Sequence, residues 1–506
     1  MSSKPHLSKS RLMAHLQCPK RLWLQTYRPE LAQEDTGSAS ALAGGQTVGE
    51  VARSLYPEGV LIESGDLSQD LQDTQRLLHE QPDRPLFEAT FTAEGLLVRV
   101  DLLLPDEGDY RLVEVKSSTQ AKPHQILDAS IQAWVVRQAG VPVSSVQLAH
   151  INNQFVYPGN LDYGGLFLHQ DIDGEASEYA ERVPQWIADA QGTLTGSEPD
   201  MAMGPQCDDP YPCPFAAHCA TLTGASGQKE AEYPVELLPR NNGLAQALRD
   251  EGYADLREVP LDRLARDSHR KIWRITRDGK PELAQPARGF ARSLPYPRYY
   301  LDFETIAFAV PRWAQTRPYQ QIPFQFSCHM ELAPGIVGQT GYLSTDGQDP
   351  RRGFALALLD AVNGSIFANQ GFDFDPKMGP VLVYNAAFER GRVEELAQHL
   401  PDLAERLLAV NGRMVDLLPI TREHYYHPDM HGSWSLKAVL PTIGTDLSYE
   451  GMTVADGGMA QEAYLEMIDP ATSHDRRDEL REALYDYCAL DTYALVQLVE
   501  FFSKEA

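Results

Sequence analysis

Short apolar runs alternate along this chain with amphipathic stretches. Residues 95–105, GLLVRVDLLLP, form a leucine- and valine-rich run with Asp101 inside it, and 110–118, YRLVEVKSS, a second run. The intervening PDEGD (105–109) is turn chemistry, so the pattern predicts a β-hairpin. Glu114 and Lys116 lie two residues apart and so project from one strand face, with Asp101 able to lie across from them. Further on, RYYLDFETIAF (298–308) predicts a strand whose Asp302 and Glu304 share a face by the same spacing. GPVLVYNAAFERGRVEELA (379–397) reads as a buried strand running into a helix, with Asn385 and Glu389 four apart. ALYDYCALDTYALVQLVEFF (483–502) reads as an amphipathic helix with Tyr487 and Asp491 on one face.

With 506 residues the chain is too long for one core, and the pattern predicts an α/β multidomain protein. Three parts are expected: 1–225 with alternating strands and helices, a helical and basic 233–295, and 296–506 with a new strand–helix alternation. LTGASGQKEAE (222–232) reads as a linker. No apolar run approaches the ~18–20 residues of a membrane span, and the N-terminus lacks the apolar core of a signal peptide, so the expectation is a cytoplasmic protein with no membrane partner. In that compartment clustered cysteines point to a metal rather than to disulfides, and Cys207, Cys213 and Cys219 recur at even spacing in GPQCDDPYPCPFAAHC (204–219).

The net charge of −27 argues against a non-specific polyanion binder. Charge is local, however: residues 263–298 hold ten Lys/Arg and three Asp/Glu, a balance of +7. Arg263, Arg266, Arg270, Lys271, Arg274 and Arg277 recur near helical spacing and are candidates for nucleic-acid contact, against the plainer reading of a solvated basic helix. Asp101 and Glu114 are candidate ligands for a divalent metal, with Lys116 beside them to orient water or steady a phosphate. The plainer reading, a surface salt bridge, is weakened by the apolar neighbours Val113 and Val115.

D-x(12)-E-V-K followed by QILDASIQAWVV (125–136) resembles the PD-(D/E)XK nucleases of the RecB type, and in particular the CRISPR-associated and AddB-like members that carry an iron–sulfur cluster. That resemblance implies a fourth thiol, Cys18 in LMAHLQCPKRLWLQ (12–25), joining Cys207, Cys213 and Cys219 around a [4Fe–4S] cluster, with zinc as the alternative. It also implies a role for Gln132, from the group's Q-x-x-x-Y motif. The chain departs from the pattern where Val136 replaces the tyrosine, and where GGQTVGEVARSLYP (44–57) offers Gln46 and Glu50 but no histidine. Glu88 in LFEATF is a candidate extra ligand or merely a polar residue at a strand end, the second being the preferred reading.

The C-terminal segments resemble the DEDD exonucleases of the DnaQ type, on an RNase H-like fold: D-x-E, then YNAAFE with glutamate for the usual aspartate, then Y-x-x-x-D of the tyrosine-bearing (DEDDy) subtype. MVDLLPITREHYYHPDMHGSWSLKAVLP (414–441) resembles the intervening region, with Asp416 ending a strand. The resemblance implies a two-metal site, Mg²⁺ or Mn²⁺, held by Asp302, Glu304, Glu389 and Asp491, with Tyr487 orienting water. In the middle part, Leu248, Gly252, Leu256 and Pro260 resemble a helix-hairpin-helix module. The whole chain is similar to a bacterial family that fuses RecB-like and RNase H-like nucleases. The expectation is a metal-dependent nuclease acting on nucleic acid, DNA first, with a 3′–5′ exonuclease site in its C-terminal domain, in repair or phage defence and with partner proteins of such a system. The alternatives are an RNA-directed exonuclease, or a nucleic-acid-binding scaffold with one or both sites degenerate.

Overall fold

The computed structural model describes residues 7–33, 38–222, 231–241, 243–364, 375 and 379–504. The expected linker 222–232 falls almost wholly outside them. The chain forms an α/β protein of two compact units, Met1–Lys229 with Phe308–Gln320, and Glu230–Ala307 with Gln321–Ala506. No helix among the described residues is long and apolar enough to cross a membrane.

The first unit is built on a sheet of seven strands: β1 (Leu7–Ser8), β2 (Val60–Leu61), β3 (Leu86–Ala93), β4 (Leu96–Asp106), β5 (Asp109–Lys116), β6 (Val143–Ile151) and β7 (Phe167–Asp171). Their order is β2-β3-β4-β5-β6-β7, with β1 parallel to β4. The expected hairpin is β4–β5, antiparallel with Leu102 opposite Val113 and closing at Asp106 opposite Asp109. The residues that follow Lys116 lead into the helix Pro123–Gln138, whose buried run from Asp128 to Val136 packs into the same core. At the N-terminus, Lys9–Gln17 and Pro19–Tyr27 are two helices rather than one, because Pro19 has no N–H to give and forces Cys18 to extended backbone (φ −162°, ψ 119°).

The second unit carries a short pair, β8 (Glu282–Leu283) with β14 (Tyr425–Tyr426), and a five-stranded sheet. The sheet contains β9 (Arg298–Ile306), β10 (Ile322–Ala333), β11 (Ile336–Leu343), β12 (Val381–Val383) and β13 (Met414–Asp416), in the order β11-β10-β9-β12-β13. β9, β10 and β11 are antiparallel, whereas β12 and β13 run parallel to β9. β9 is buried along nearly its whole length, and the 30-residue helix His474–Ser503 packs on it.

Residues 233–295, expected as a separate bridge, belong to the second unit. Val235, Leu248, Leu256, Ile272 and Trp273 share one buried cluster with Tyr425, Tyr426, Leu495 and Phe502. The apolar positions of this stretch therefore have a ready partner and need no core of their own. The helix-hairpin-helix expectation meets only one full arm: Leu244–Asp250 ends at Gly252 (φ 94°), and Leu256–Glu258 is a single 3-10 turn. Arg263 and Arg266 precede the helix Asp267–Asp278 instead of extending it.

One glycine fixes how this stretch meets the rest of the unit. Gly432 has φ 75°, and a Cβ there would stand 1.9 Å from the Leu237 carbonyl oxygen. Gly432→Ala is expected to destabilise the second unit by about 2 kcal/mol or more, since strain and a backbone clash act together. Gly391, inside the helix Ala386–His399 with nothing within 4 Å of its Cβ position, is the contrast. Gly391→Ala should stabilise by about 0.5–1 kcal/mol. Thermal unfolding of the two variants checks both signs.

Candidate functional site

In the first unit the hairpin brings its acids together as the spacing predicts. Asp101 Oδ2 accepts from the Val115 amide at 2.7 Å, and Glu114 Oε1 accepts from Lys116 Nζ at 2.6 Å. Gln132 Nε2 donates to Glu114 Oε2 at 2.6 Å, so this residue does belong to the constellation, one helical turn before the buried Val136. Two partners were not visible in the sequence. Lys9 Nζ lies 3.1 Å from Glu114 and 3.0 Å from Asp128, and Lys116 Nζ lies 2.8 Å from Asp128. Two lysines thus face the carboxylates of Glu114 and Asp128. Burial alone would raise Glu114, but Lys116 and Lys9 outweigh it and hold the carboxyl below its usual range. Burial alone would lower Lys9, but Glu114 and Asp128 hold it above. Asp101 is pushed up to about 7 by burial and by Glu114.

Asp101 opens into a pocket of about 570 Å³, together with Gln46, Glu50, Arg53 and Glu88. Gln46 and Glu50 therefore do line the mouth. Glu88 is more than a strand-end residue. It sits inside β3 with φ 55°, where the pairing skips from Phe87–Leu102 to Ala89–Val100. Such backbone in a non-glycine residue is a feature of functional positions. Its carboxylate is 3.6 Å from Arg53.

Cys18, Cys207, Cys213 and Cys219 line one small cavity beside Leu24 and Phe215. Gln17 Nε2 ties the first helix to the cysteine segment through the Gln206 and Tyr211 carbonyls, at 2.8 and 2.7 Å. Burial raises the Cys213 and Cys219 thiols, and the neighbouring thiols add to it. Four sulfurs on one zinc at 2.3 Å would stand about 3.8 Å apart. Among the described residues, the group whose ligand atoms all fall within 4.8 Å of one another is Asp302, Glu304 and Asp491, not the cysteines.

In the second unit, Asp302 and Glu304 come from β9 and Asp491 from the helix His474–Ser503. Glu389 enters from the first turn of Ala386–His399, buried and with its Oε2 lacking a hydrogen-bond partner, and its charge acts on Asp302. The turn that aims it is held by Asp416 at the end of β13, whose carboxylate accepts from the Asn385 and Ala386 amides, both at 3.0 Å. Asn385 takes φ 84°, a left-handed conformation that asparagine tolerates. Tyr487 stands one turn before Asp491, its phenol held well above its usual range by burial and by Asp491, so it remains a proton donor. Sequence reasoning missed Tyr449, whose hydroxyl donates to Asp491 Oδ1 at 2.5 Å, and Lys437, which sits 5.5 Å over the Tyr487 ring and lowers Glu304 and Asp491. Neither carries a spacing signal, because both come from irregular or short elements between the motifs.

The electrostatics differ from those of the first unit. Burial and Asp491 push Glu304 up to about 8, and burial pushes Glu389 up to about 8. Asp491 is pushed up to about 6, and Asp302 well above its ordinary value by burial and by the three other acids. Acids that outnumber their nearby cations, Lys437 beside Glu304 and Asp491 and Arg392 beside Glu389, with one oxygen unpartnered, fit a divalent metal bound through oxygen.

The expected basic surface is largely neutralised. Arg263 pairs with Glu251, Arg274 with Glu282 at 2.6 Å, Arg277 with Asp278 at 3.0 Å, and Arg270 lies 3.9 Å from Asp267. Lys271 donates to the Glu423 carbonyl at 2.7 Å. Arg266 lines a large groove, described below.

Residues 299–435 match the model of a domain of unknown function, DUF2779. The match covers Asp302, Glu304 and Glu389 and stops before Tyr487 and Asp491. The chain is also 24% identical over 222 residues to the uncharacterized protein MG366 homolog of Mycoplasma pneumoniae (strain ATCC 29342 / M129 / Subtype 1). That alignment takes in 41% of this chain and 32% of the relative, so it spans about a third of the relative's length.

The raised carboxyls give a signed pH dependence. Each binds its proton more tightly folded than unfolded, so its contribution to stability is complete below about pH 4, the ordinary carboxyl range, and is lost as pH rises through about 8. The metal-free second unit should therefore melt at lower temperature as pH rises from 5 to 8.5, with a smaller fall in Glu389→Gln. Mn²⁺ should reverse the fall and release about one to two protons at pH 7, read by calorimetry in buffers of different ionisation enthalpy.

Proposed function

We propose that this chain is a metal-dependent nuclease whose working site is the acid cluster of the second unit. The observation that carries the reading is the convergence of Asp302, Glu304 and Asp491 within 4.8 Å, from a strand and a helix far apart in sequence. Glu389 and a protonated Tyr487 stand in the same neighbourhood. The sheet order β11-β10-β9-β12-β13, with acids on the central strand, supports an RNase H-like domain of the DEDDy type. Divalent metal at these carboxylates would supply activation of water and neutralisation of charge on the phosphate. The protein's own part is positional: β9 fixes the Asp302 and Glu304 carboxylates, Asp416 orients the turn that carries Glu389, and Tyr449 holds Asp491 in place. Tyr487, whose hydroxyl is hydrogen-bonded to Asp491, would orient the attacking water, and Lys437 offsets part of the negative charge.

For the first unit the reading is a RecB-like PD-(D/E)XK domain stapled by a cluster at the four cysteines. Asp101, Glu114, Lys116 and Gln132 are held together there, and Lys9 adds a second cation. The internal lysine pairing of Glu114, and Val136 in place of tyrosine, favour a second reading in which this unit binds strands without cutting them.

End-labelled DNA and RNA strands with Mg²⁺ or Mn²⁺ test the proposal. Asp302→Asn should abolish stepwise release of nucleotides from 3′ ends, and Tyr487→Phe should slow it by roughly 10²-fold or more, the scale of a lost general acid–base or orienting group. Lys116→Ala should spare 3′ trimming and remove any separate cleavage by the first unit. Full trimming by Asp302→Asn together with loss in Lys116→Ala would reverse the assignment.

A cluster in the first unit makes a separate prediction. Anaerobically prepared protein should absorb broadly in the visible, and Cys213→Ser should bleach it and lower the first unit's melting temperature. Colourless protein with stoichiometric zinc would refute the cluster.

A further inference from the structure

The second unit contains a groove of about 700 Å³ whose rim carries Arg240, Arg266 and Arg422. All three side chains are exposed. Their neighbours on the helix Asp267–Asp278 are matched with carboxylates, but among the described residues these three make no ion pair. Arg266 Nη1 donates to the Arg240 carbonyl at 2.7 Å, which ties the rim together but brings no negative charge. Three guanidinium groups without a counter-charge, gathered at one groove of a chain whose net charge is −27, form a local positive patch that can attract an anion from outside.

The walls narrow the chemistry. Tyr384 and Trp434 line the groove, and their polar ends are already engaged. The Tyr384 hydroxyl donates to the Trp434 carbonyl at 2.7 Å, and Trp434 Nε1 to the Tyr425 carbonyl at 2.9 Å. Trp434 is buried, so what remains for a ligand is the half-buried Tyr384 ring and the aliphatic surface of Leu418 and Leu436 beneath a guanidinium rim. That combination takes a phosphate together with a base, as single-strand binding sites do.

Position gives the third argument. Asn385, at the start of the helix Ala386–His399, lines the groove, and Glu389 lies four residues along that helix. Asn385 thus caps the same helix that carries Glu389 in its first turn, so the groove and this acid are served by one short stretch of chain.

We propose that this groove is the strand-binding subsite of the second unit. It takes the phosphodiester backbone and a base of single-stranded nucleic acid next to the bond presented to the acid cluster. The substrate class rests on the nuclease reading; the groove's preference for an anion does not. It also relocates the nucleic-acid contact from the ion-paired helix Asp267–Asp278 to Arg240, Arg266 and Arg422.

Anisotropy of a fluorescein-labelled oligothymidine with the full chain in EDTA tests this without cleavage. Arg266→Ala and Arg422→Ala should each weaken binding roughly 5- to 10-fold at low salt, and each should flatten the plot of log affinity against log salt by about 0.7, the single-strand value per phosphate. Arg274→Ala, which breaks only the pair with Glu282, should bind as wild type. Wild-type affinity in Arg266→Ala and Arg422→Ala, or equal loss in Arg274→Ala, would overturn the groove as the contact. Displacement of the oligothymidine by thymidine monophosphate at matching affinity would also overturn it, as a mononucleotide site rather than a strand site. Cleavage by the wild type in Mn²⁺ is measured in parallel. Arginine-dependent strand binding with no cleavage would sink the nuclease reading and leave the groove standing.

Discussion

The second unit is organised around one constraint: Asp302, Glu304, Glu389 and Asp491 are buried close together, and like charges in a low-dielectric site cannot all ionise unaided. The fold accepts this at the middle of its sheet. β9 is buried on nearly every residue, so Glu304 is buried and Asp302 only partly exposed, and the long helix that covers β9 brings Asp491 against them. Lys437 and the two phenols offset only part of the repulsion, and Asp416 adds to it at Glu389. Without an added cation the remainder is relieved by protonation. A site of this kind is less stable than an apolar core of the same shape, and it persists where a ligand of opposite charge completes it.

The first unit meets a similar problem differently. Glu114 is as deeply placed as Asp302, yet two lysines and an amide satisfy it from within: Lys9, Lys116 and Gln132. Its carboxyl stays ionised, and only Asp101 remains raised. The two units thus hold acids in opposite electrostatic states. A divalent cation entering the first must compete with ammonium groups already in contact, whereas one entering the second replaces protons. The difference lies in which residues accompany the acids: one pair comes from two neighbouring strands and the other from a single strand, but only the first is met by lysines.

Much of this was legible in the sequence because strand and helix periods carry it. The i, i+2 spacing of Asp302 and Glu304 places both on one face of whichever strand contains them, and the four-residue spacing of Tyr487 and Asp491 does the same on a helix. The hairpin around PDEGD followed from turn chemistry. What stayed hidden were contacts made by tertiary closure. Lys9 is 105 residues from Glu114 and reads as an ordinary surface lysine in a polar N-terminus. Tyr449 is 42 residues from Asp491 and lies in no periodic element. The basic stretch shows the reverse limit: counting arginines over a window ignores which acids the fold places beside them. Glu251 lies outside that window, and Glu282 and Asp278 lie inside it, yet each neutralises a specific arginine.

The same reasoning explains why residues 233–295 could look like a linker and behave as part of a domain. Their apolar residues are too few for an independent core, and a short helical segment gains little stability alone. Packed against β14 and the last helix, they are buried as fully as the sheet itself. Gly432 permits the close approach that this requires, and the groove beside it is a consequence of that packing. Arg240 and Arg266 come from the annexed segment, whereas Tyr384, Asn385 and Arg422 come from the sheet-bearing part of the unit. A charged groove assembled in this way exists only when the segment is docked, so its docking and the positioning of its arginines beside the acid cluster are one structural event.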